Sequence, residues 1–269
     1  MSGGPVLAAE GLSAVHATAA GPLRALDGVS LSLRGGERLG VIGRSGGGKS
    51  TLARLLCGLS PPGAAVTGTL RWPGGAAPVA AARRAGLGHH VAWLPQEAQA
   101  ALHPMLRIGS QVAETLRAAR LPGGKAEVSA RLAGAGLDPA LASRYPHQLS
   151  GGQAQRAALA CALAQDPAVL VVDEPTSALD TATAASVVAA LDRLTRRAGV
   201  ALVLVTHDLS GAAALCDRLL VLDEGRIAEE GPAARILRQP SSAVARGLSE
   251  AAGLPRLLPE ALIAEAPAC

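Results

Sequence analysis

The chain has 269 residues, a formal charge of +4 and 49% apolar residues, enough for one large domain or one domain with an inserted lobe, and too apolar for global disorder. Its only Trp, Tyr or Phe residues are Trp72, Trp93 and Tyr145, so stacking platforms for single-stranded nucleic acid are scarce. No run of basic residues exceeds Arg83-Arg84 or Arg196-Arg197, and no nucleic-acid partner is expected.

Taken in chain order, the first 95 residues or so carry short apolar runs punctuated by Gly and Pro. Leu31–Leu33, Arg38–Ile42, Val66–Trp72 and Val91–Leu94 read as strands, with Pro73-Gly74-Gly75 as a turn and an antiparallel lobe as the expected arrangement. Lys49–Leu59 reads as a helix. From about 97 to 165 the pattern is mostly helical, including Ile108–Arg120 and Gly152–Gln165 with a break at Leu121-Pro122-Gly123-Gly124, and is expected to be a lobe inserted into an α/β core. Strand Val169–Val172, helix Thr181–Arg197, strand Ala201–Val205, helix Leu209–Cys216 and strand Leu219–Leu222 follow. Strands alternating with helices predict a parallel sheet covered by helices, several strands being apolar enough for burial on both faces. The Ala/Leu/Pro-rich tail after Pro240 is expected to form short helices packed on the domain. We find no internal repeat. The N-terminus lacks the basic start and apolar core of a signal peptide, and no apolar stretch reaches the ~18 residues of a spanning helix. A membrane would then be served from its cytoplasmic side, through partners.

Gly43-Arg44-Ser45-Gly46-Gly47-Gly48-Lys49-Ser50, followed by Thr51, fits the phosphate-binding pattern G-x-x-x-x-G-K-[ST], and it follows an expected strand and opens an expected helix. The glycines let backbone N–H groups converge on phosphate oxygens at a helix N-terminus. Lys49 is expected to reach the β- and γ-phosphates and Ser50 to ligate Mg²⁺. The alternative is a flexible glycine turn. Val169-Leu170-Val171-Val172-Asp173-Glu174 is a buried strand ending in two carboxylates. Asp173 can hold Mg²⁺ through water, and Glu174 can polarise an attacking water as general base. A solvated acidic turn is the plain alternative.

Leu149-Ser150-Gly151-Gly152-Gln153 opens the helix Gly152–Gln165 and makes a second anion site from backbone donors at a positive helix end. It resembles the signature sequence of the ABC (ATP-binding cassette) ATPases. The resemblance spans residues 5–240, leaving 241–269 as a C-terminal tail. It implies an α/β fold: a P-loop NTPase (RecA-like) core with an N-terminal antiparallel β lobe and an inserted α-helical lobe. In the family, the signature of one subunit closes over the nucleotide held by another. The resemblance therefore implies ATP and Mg²⁺ as ligands, with Ser150, Gly151, Gly152 and Gln153 facing a partner's nucleotide. Gln96 matches the glutamine that senses Mg²⁺ and water. Ser177-Ala178-Leu179-Asp180 matches the loop that communicates across the dimer, and His207 matches the switch histidine at the γ-phosphate. By this likeness Glu174, His207 and Gln96 are catalytic, and Ser50, Gln96 and Asp173 hold the metal.

The stretch Pro95-Gln96 to Ile108-Gly109 and Tyr145-Pro146-His147-Gln148 resemble ATPases of the oligopeptide, dipeptide and nickel importers. Gly43-Arg44-Ser45-Gly46 with Ser50-Thr51-Leu52-Ala53-Arg54-Leu55-Leu56 is most similar to the second ATPase subunit of nickel importers. The tail reads Gln239-Pro240-Ser241-Ser242 where peptide-transporter ATPases commonly have His-Pro-Tyr-Thr, which favours nickel over peptide. Members of this group stack adenine on an aromatic residue shortly before the Leu26-Asp27-Gly28-Val29-Ser30 stretch. Here His16 is the nearest substitute, and an imidazole stacks less well. The implied partners are integral membrane permeases, a second ABC ATPase in a hetero- or homodimer, and an extracytoplasmic solute-binding protein. The implied place is the cytoplasmic face of the inner membrane, as a peripheral subunit. Two rivals remain: a soluble ABC protein acting on nucleic acid or ribosomes, which usually carries two cassettes or a coiled-coil insertion, and a regulatory subunit with little catalysis. His89, His90, His103 and His147, like Cys57, Cys161, Cys216 and Cys269, have no ligand spacing and are given no metal role.

Overall fold

Two long strands, β1 (Leu7–Thr18) and β2 (Gly21–Leu33), open the chain as an antiparallel hairpin. The computed structural model describes residues 4–19, 21–175 and 181–252. Strand β3 (Arg38–Gly43) leads into helix α1 (Lys49–Leu56), and β4 (Ala64–Trp72) and β5 (Gly75–Pro78) form a second hairpin. A short α2 (Val79–Ala82) precedes β6 (Val91–Leu94). The helical stretch then runs through α3 (Ala98–Ala101), α4 (Ile108–Ala118), α5 (Lys125–Gly134) and α6 (Gly151–Leu163). After it come β7 (Val169–Asp173), α7 (Thr181–Ala198), β8 (Ala201–Val205), α8 (Leu209–Leu215), β9 (Arg218–Asp223), β10 (Arg226–Pro232), α9 (Ala233–Arg238) and α10 (Ala243–Ala251).

The strands form two sheets: an antiparallel one in the order β2-β1-β4-β5, and a six-stranded one in the order β10-β9-β3-β8-β7-β6. In the larger sheet β3, β6, β7, β8 and β9 run parallel, and only β10 is antiparallel. Period-two alternation decides which side chains go to which face. Val169 and Val171 of β7, with Val203 and Val205 of β8, pack with α1 and the antiparallel sheet. Leu170 and Val172, with Leu202 and Leu204, face the opposite layer, where residues of α4, α5, α6, α8, α9 and α10 pack. Burial on both faces explains why these strands read as unbroken apolar runs.

The structure differs from the sequence reading at the N-terminus. Leu31–Leu33 is the last part of the 13-residue β2, and β1 was not legible as a strand. Their pairing shifts register between Ala9 and Leu12, Leu12 and Ala14, and Ala14 and Val15, so these bulges scramble the alternation that marks a strand. Strand β10 escaped notice because it is a mostly exposed, charged edge strand. Helix α1 stops at Leu56, three residues short of expectation, where Gly58 takes φ +65° and its amide caps Leu55 O. The break at 121–124 falls between α4 and α5.

Arg38, at the start of β3 and 2% exposed, ties three elements together. It donates to the Asp192 carboxylate, to Asp192 O at 3.0 Å and to Thr195 Oγ1 at 2.9 Å, all on α7, and to Leu215 O at the end of α8 at 3.3 Å. Its own amide donates to Asp217 Oδ2 at 3.0 Å. At the other end of the chain, Glu229 of β10, 3% exposed, anchors α10. Its carboxylate accepts from the amides of Ser241 (3.0 and 3.1 Å) and Ser242 (2.9 Å) and from Arg235 (3.0 Å). Val244 and Ala245 of α10 are buried in the helical layer.

Arg38→Ala removes a buried guanidinium that joins β3 to α7 and α8, while Asp192 keeps Arg196, and should cost about 2 kcal/mol in urea unfolding. Burial works against the charge of Glu229, but hydrogen bonds from Ser242 and Ser241 hold its pKa at about 2, below the ordinary 4.5. The stability it contributes is complete above about pH 4.5 and is lost as pH falls towards 2. Urea unfolding of Glu229→Gln from pH 2 to 5 should lack that segment of pH dependence.

Candidate active site

The parallel strands β3, β7 and β8 are neighbours and end at the same edge of the sheet, so the segments leaving them must meet. Two hydrogen bonds continue the ladder past the strand ends: Glu174 N to Val205 O at 2.8 Å, and Thr206 N to Val41 O at 3.2 Å. The loop after β3 therefore lies beside Asp173-Glu174 at the end of β7 and His207 after β8.

The glycine loop is closed by Gly47 N donating to Arg44 O at 3.1 Å and by Leu52 N donating to Gly48 O at 2.9 Å, the first turn of α1. Gly48 has φ +97°, and a Cβ there would overlap Ala25 O, so no other residue fits. Lys49 Nζ is held across the loop by Gly43 O (3.0 Å) and Arg44 O (2.9 Å). Burial lowers the Lys49 pKa, against the opposing charges of Glu174 and Asp173. Asp173 is 4% exposed and accepts from Ser50 Oγ at 3.2 Å. Burial raises its pKa against that bond, and the Glu174 charge adds to the rise.

Glu174 occupies a left-handed backbone, φ +44°, an unfavourable conformation for a residue with a side chain, fixed by its bond to Val205. Gln96 Nε2 donates to Glu174 Oε2 at 3.3 Å, and His207 Nδ1 lies 3.3 Å from Glu174 Oε1. Each carboxylate oxygen thus has its own side-chain neighbour. Ala25, Ser45, Gly46, Gly48, Lys49, Ser50, Thr51, Gln96, Glu174 and His207 line one cleft of about 470 Å³. Its walls offer amides and an ammonium for phosphate oxygens, and a carboxylate for a nucleophilic water. Ser50 Oγ and Asp173 Oδ1 supply the hard oxygen donors that Mg²⁺ prefers, so the residues fit that ion.

Other candidates lie elsewhere. Ser150 caps α6: its Oγ accepts from Gln153 N at 3.3 Å, and Gln153 Oε1 accepts from Ser150 N at 3.0 Å. Ser150, Gly151, Gly152 and Gln153 do not line the cleft, and neither does His16, which sits on β1 opposite Leu23 and Ala64. Asp180, with Ser177-Ala178-Leu179, lies outside the described residues. The sequence reading missed the turn between β9 and β10. Gly225 N donates to Gly47 O at 3.2 Å and Asp27 N donates to Gly225 O at 2.9 Å, bracing the glycine loop from below. The Glu224-Gly225 pair, both at positive φ, was the available turn signal. Beside it lies an open basin of about 610 Å³ lined by Arg24, Asp27 and Arg226 among others, whose arginines are paired to Asp27.

Comparison with known proteins agrees with this geometry. The family described as "ABC transporter" matches residues 26–177. The chain is 37% identical over 241 residues to the oligopeptide transport ATP-binding protein OppF of Escherichia coli (strain K12), covering 87% of this chain and 70% of that protein. It is 38% identical over 254 residues to the Fe(3+) ions import ATP-binding protein FbpC of Pseudomonas fluorescens, covering 93% and 69%. A dimeric post-hydrolysis structure of the ATP-binding cassette MJ0796, bound to ADP and Pi, superposes with a TM-score of 0.72 at 27% identity, over 84% of this chain and 98% of that one. The chain belongs to the ABC transporter family, as one of its ATP-hydrolysing cassettes.

Proposed function

We propose that the chain energises import of a small solute through membrane permeases, with Glu174 as the base that activates water against ATP. The observation that carries this reading is the convergence of Lys49, Ser50, Gln96, Glu174 and His207 on one cleft, with Asp173 bonded to Ser50. The loop amides and Lys49 bind and orient the phosphates. Ser50 and Asp173, with Gln96 nearby, would hold Mg²⁺, which would supply charge neutralisation at the phosphates. Glu174, aimed by Gln96 and His207, takes the proton of the attacking water, and His207 contacts the γ-phosphate. His16 stands in for the aromatic ring on which relatives stack adenine. Glu174→Gln should keep ATP binding while turnover falls about 10²-fold. Near-normal phosphate release by that variant would remove Glu174 as the base.

The signature residues Ser150–Gln153 stand apart from the cleft, which supports their serving a second subunit's nucleotide in a head-to-tail dimer, with Asp180 communicating between the two sites. The dimeric cassette structure among the similar proteins supports a dimer. We take the partner to be a related but distinct ATPase, with an extracytoplasmic solute-binding protein completing the system. No helix among the described residues is long and apolar enough to cross a membrane, in keeping with a peripheral place at the cytoplasmic face beneath permease partners.

For cargo, the residues around the glycine loop and the Gln239-Pro240 tail favour nickel. The oligopeptide relative favours a peptide as the second reading. Uptake of radiolabelled nickel and of a labelled dipeptide, in cells carrying wild-type protein or Glu174→Gln, separates the two. Loss of nickel uptake alone supports the first reading, and loss of dipeptide uptake alone replaces it with the second. No change in either removes both cargoes and leaves the ATPase to be tested by turnover.

A further inference from the structure

Gly152 is buried in the first turn of α6, next to the capping residue Ser150. Its backbone is not left-handed, so conformation does not demand glycine there. Helices ordinarily favour Ala over Gly. What excludes a side chain is a neighbour: a Cβ on Gly152 would overlap Thr183 Cγ2. The next nearest atoms, Arg156 Nη2 and Thr183 Cβ, lie at 3.8 Å, in ordinary contact. One turn along both helices, Arg156 Nη1 donates to Ser186 Oγ at 3.1 Å. Helices α6 and α7 are thus joined at their N-terminal ends by two adjacent contacts, a methyl seated on a glycine and a hydrogen bond.

We infer that Gly152 is glycine to admit the Thr183 methyl, and that Thr183 is a positioning residue setting the signature N-terminus on α7. Helix α7 is the element that follows Glu174 in the chain. A shift at the start of α7 therefore reaches Ser150 and the exposed first turn of α6 through a direct contact. The contact ties the first turn of α7 to the signature that the subunit offers to its partner. The inference rests on the dimer reading above. The competing explanation is that glycine is needed so that the partner's phosphate can approach the backbone.

The test is a second-site rescue in the full chain, comparing wild type, Gly152→Ala, Thr183→Ser and the double variant. Serine removes Cγ2 and keeps the hydroxyl. Gly152→Ala should lower the thermal midpoint by roughly 5 °C, as overpacking does. It should also lower ATP turnover by up to about 10²-fold, as misplacement of a site residue does. Adding Thr183→Ser should restore both towards the value of Thr183→Ser alone. A double variant no better than Gly152→Ala in stability overturns the inference, as does an unimpaired Gly152→Ala. Recovery of the midpoint without recovery of turnover also overturns it, because glycine would then be required at the nucleotide. If wild type hydrolysed no ATP, the proposed function would fail, and the thermal midpoints alone would still decide this contact.

Discussion

Parallel pairing of β3, β8 and β7 is the constraint on which the active site depends. Parallel strands present their C-terminal ends at one edge, and here that edge carries the glycine loop, Asp173-Glu174 and His207. The ladder does not stop with the strands: Glu174 N and Thr206 N carry it one residue further, onto Val205 O and Val41 O. Those bonds fix the backbone from which the reactive side chains depart. They also hold Glu174 in its left-handed conformation, which turns its carboxylate between Gln96 and His207.

The electrostatics of the cleft follow from burial in the same place. Lys49 and Asp173 are both nearly inaccessible, and burial pushes their pKa values in opposite directions, each away from its charged form. Each is partly compensated by the other's charge, and Ser50 donates to Asp173. A cation beside a dry carboxylate and hydroxyl is suited to phosphate and a divalent ion, because these ligands bring the complementary charges. At the opposite end of β3, Arg38 performs the mechanical counterpart, clamping the strand to α7 and α8.

Cargo is a different kind of question. Cassettes at 37% and 38% identity to this chain carry names that specify an oligopeptide and an iron ion. ATP hydrolysis at the cleft is common to every cargo. The nickel reading proposed above rests on the flank of the glycine loop and on the tail, away from the cleft.

Contiguous chemistry was legible in the sequence. The glycine loop, the strand ending in Asp173-Glu174 and the helix start at Ser150–Gln153 are each written in a single run, because amide donors, a helix start and a strand end are local properties. The central strands were legible too, since burial on both faces leaves unbroken apolar runs. The bulged β1–β2 hairpin was not, because its register shifts erase the alternation that marks a strand. Nor was the brace of Gly225 beneath Gly47, or the seating of Thr183 on Gly152, since these contacts join residues far apart in the chain. The sequence determined which runs carry the glycine loop, the paired carboxylates and the signature-like helix start. Tertiary structure alone decided which of them share a cleft and which face outward, because strand order and helix packing set distances that no local pattern encodes.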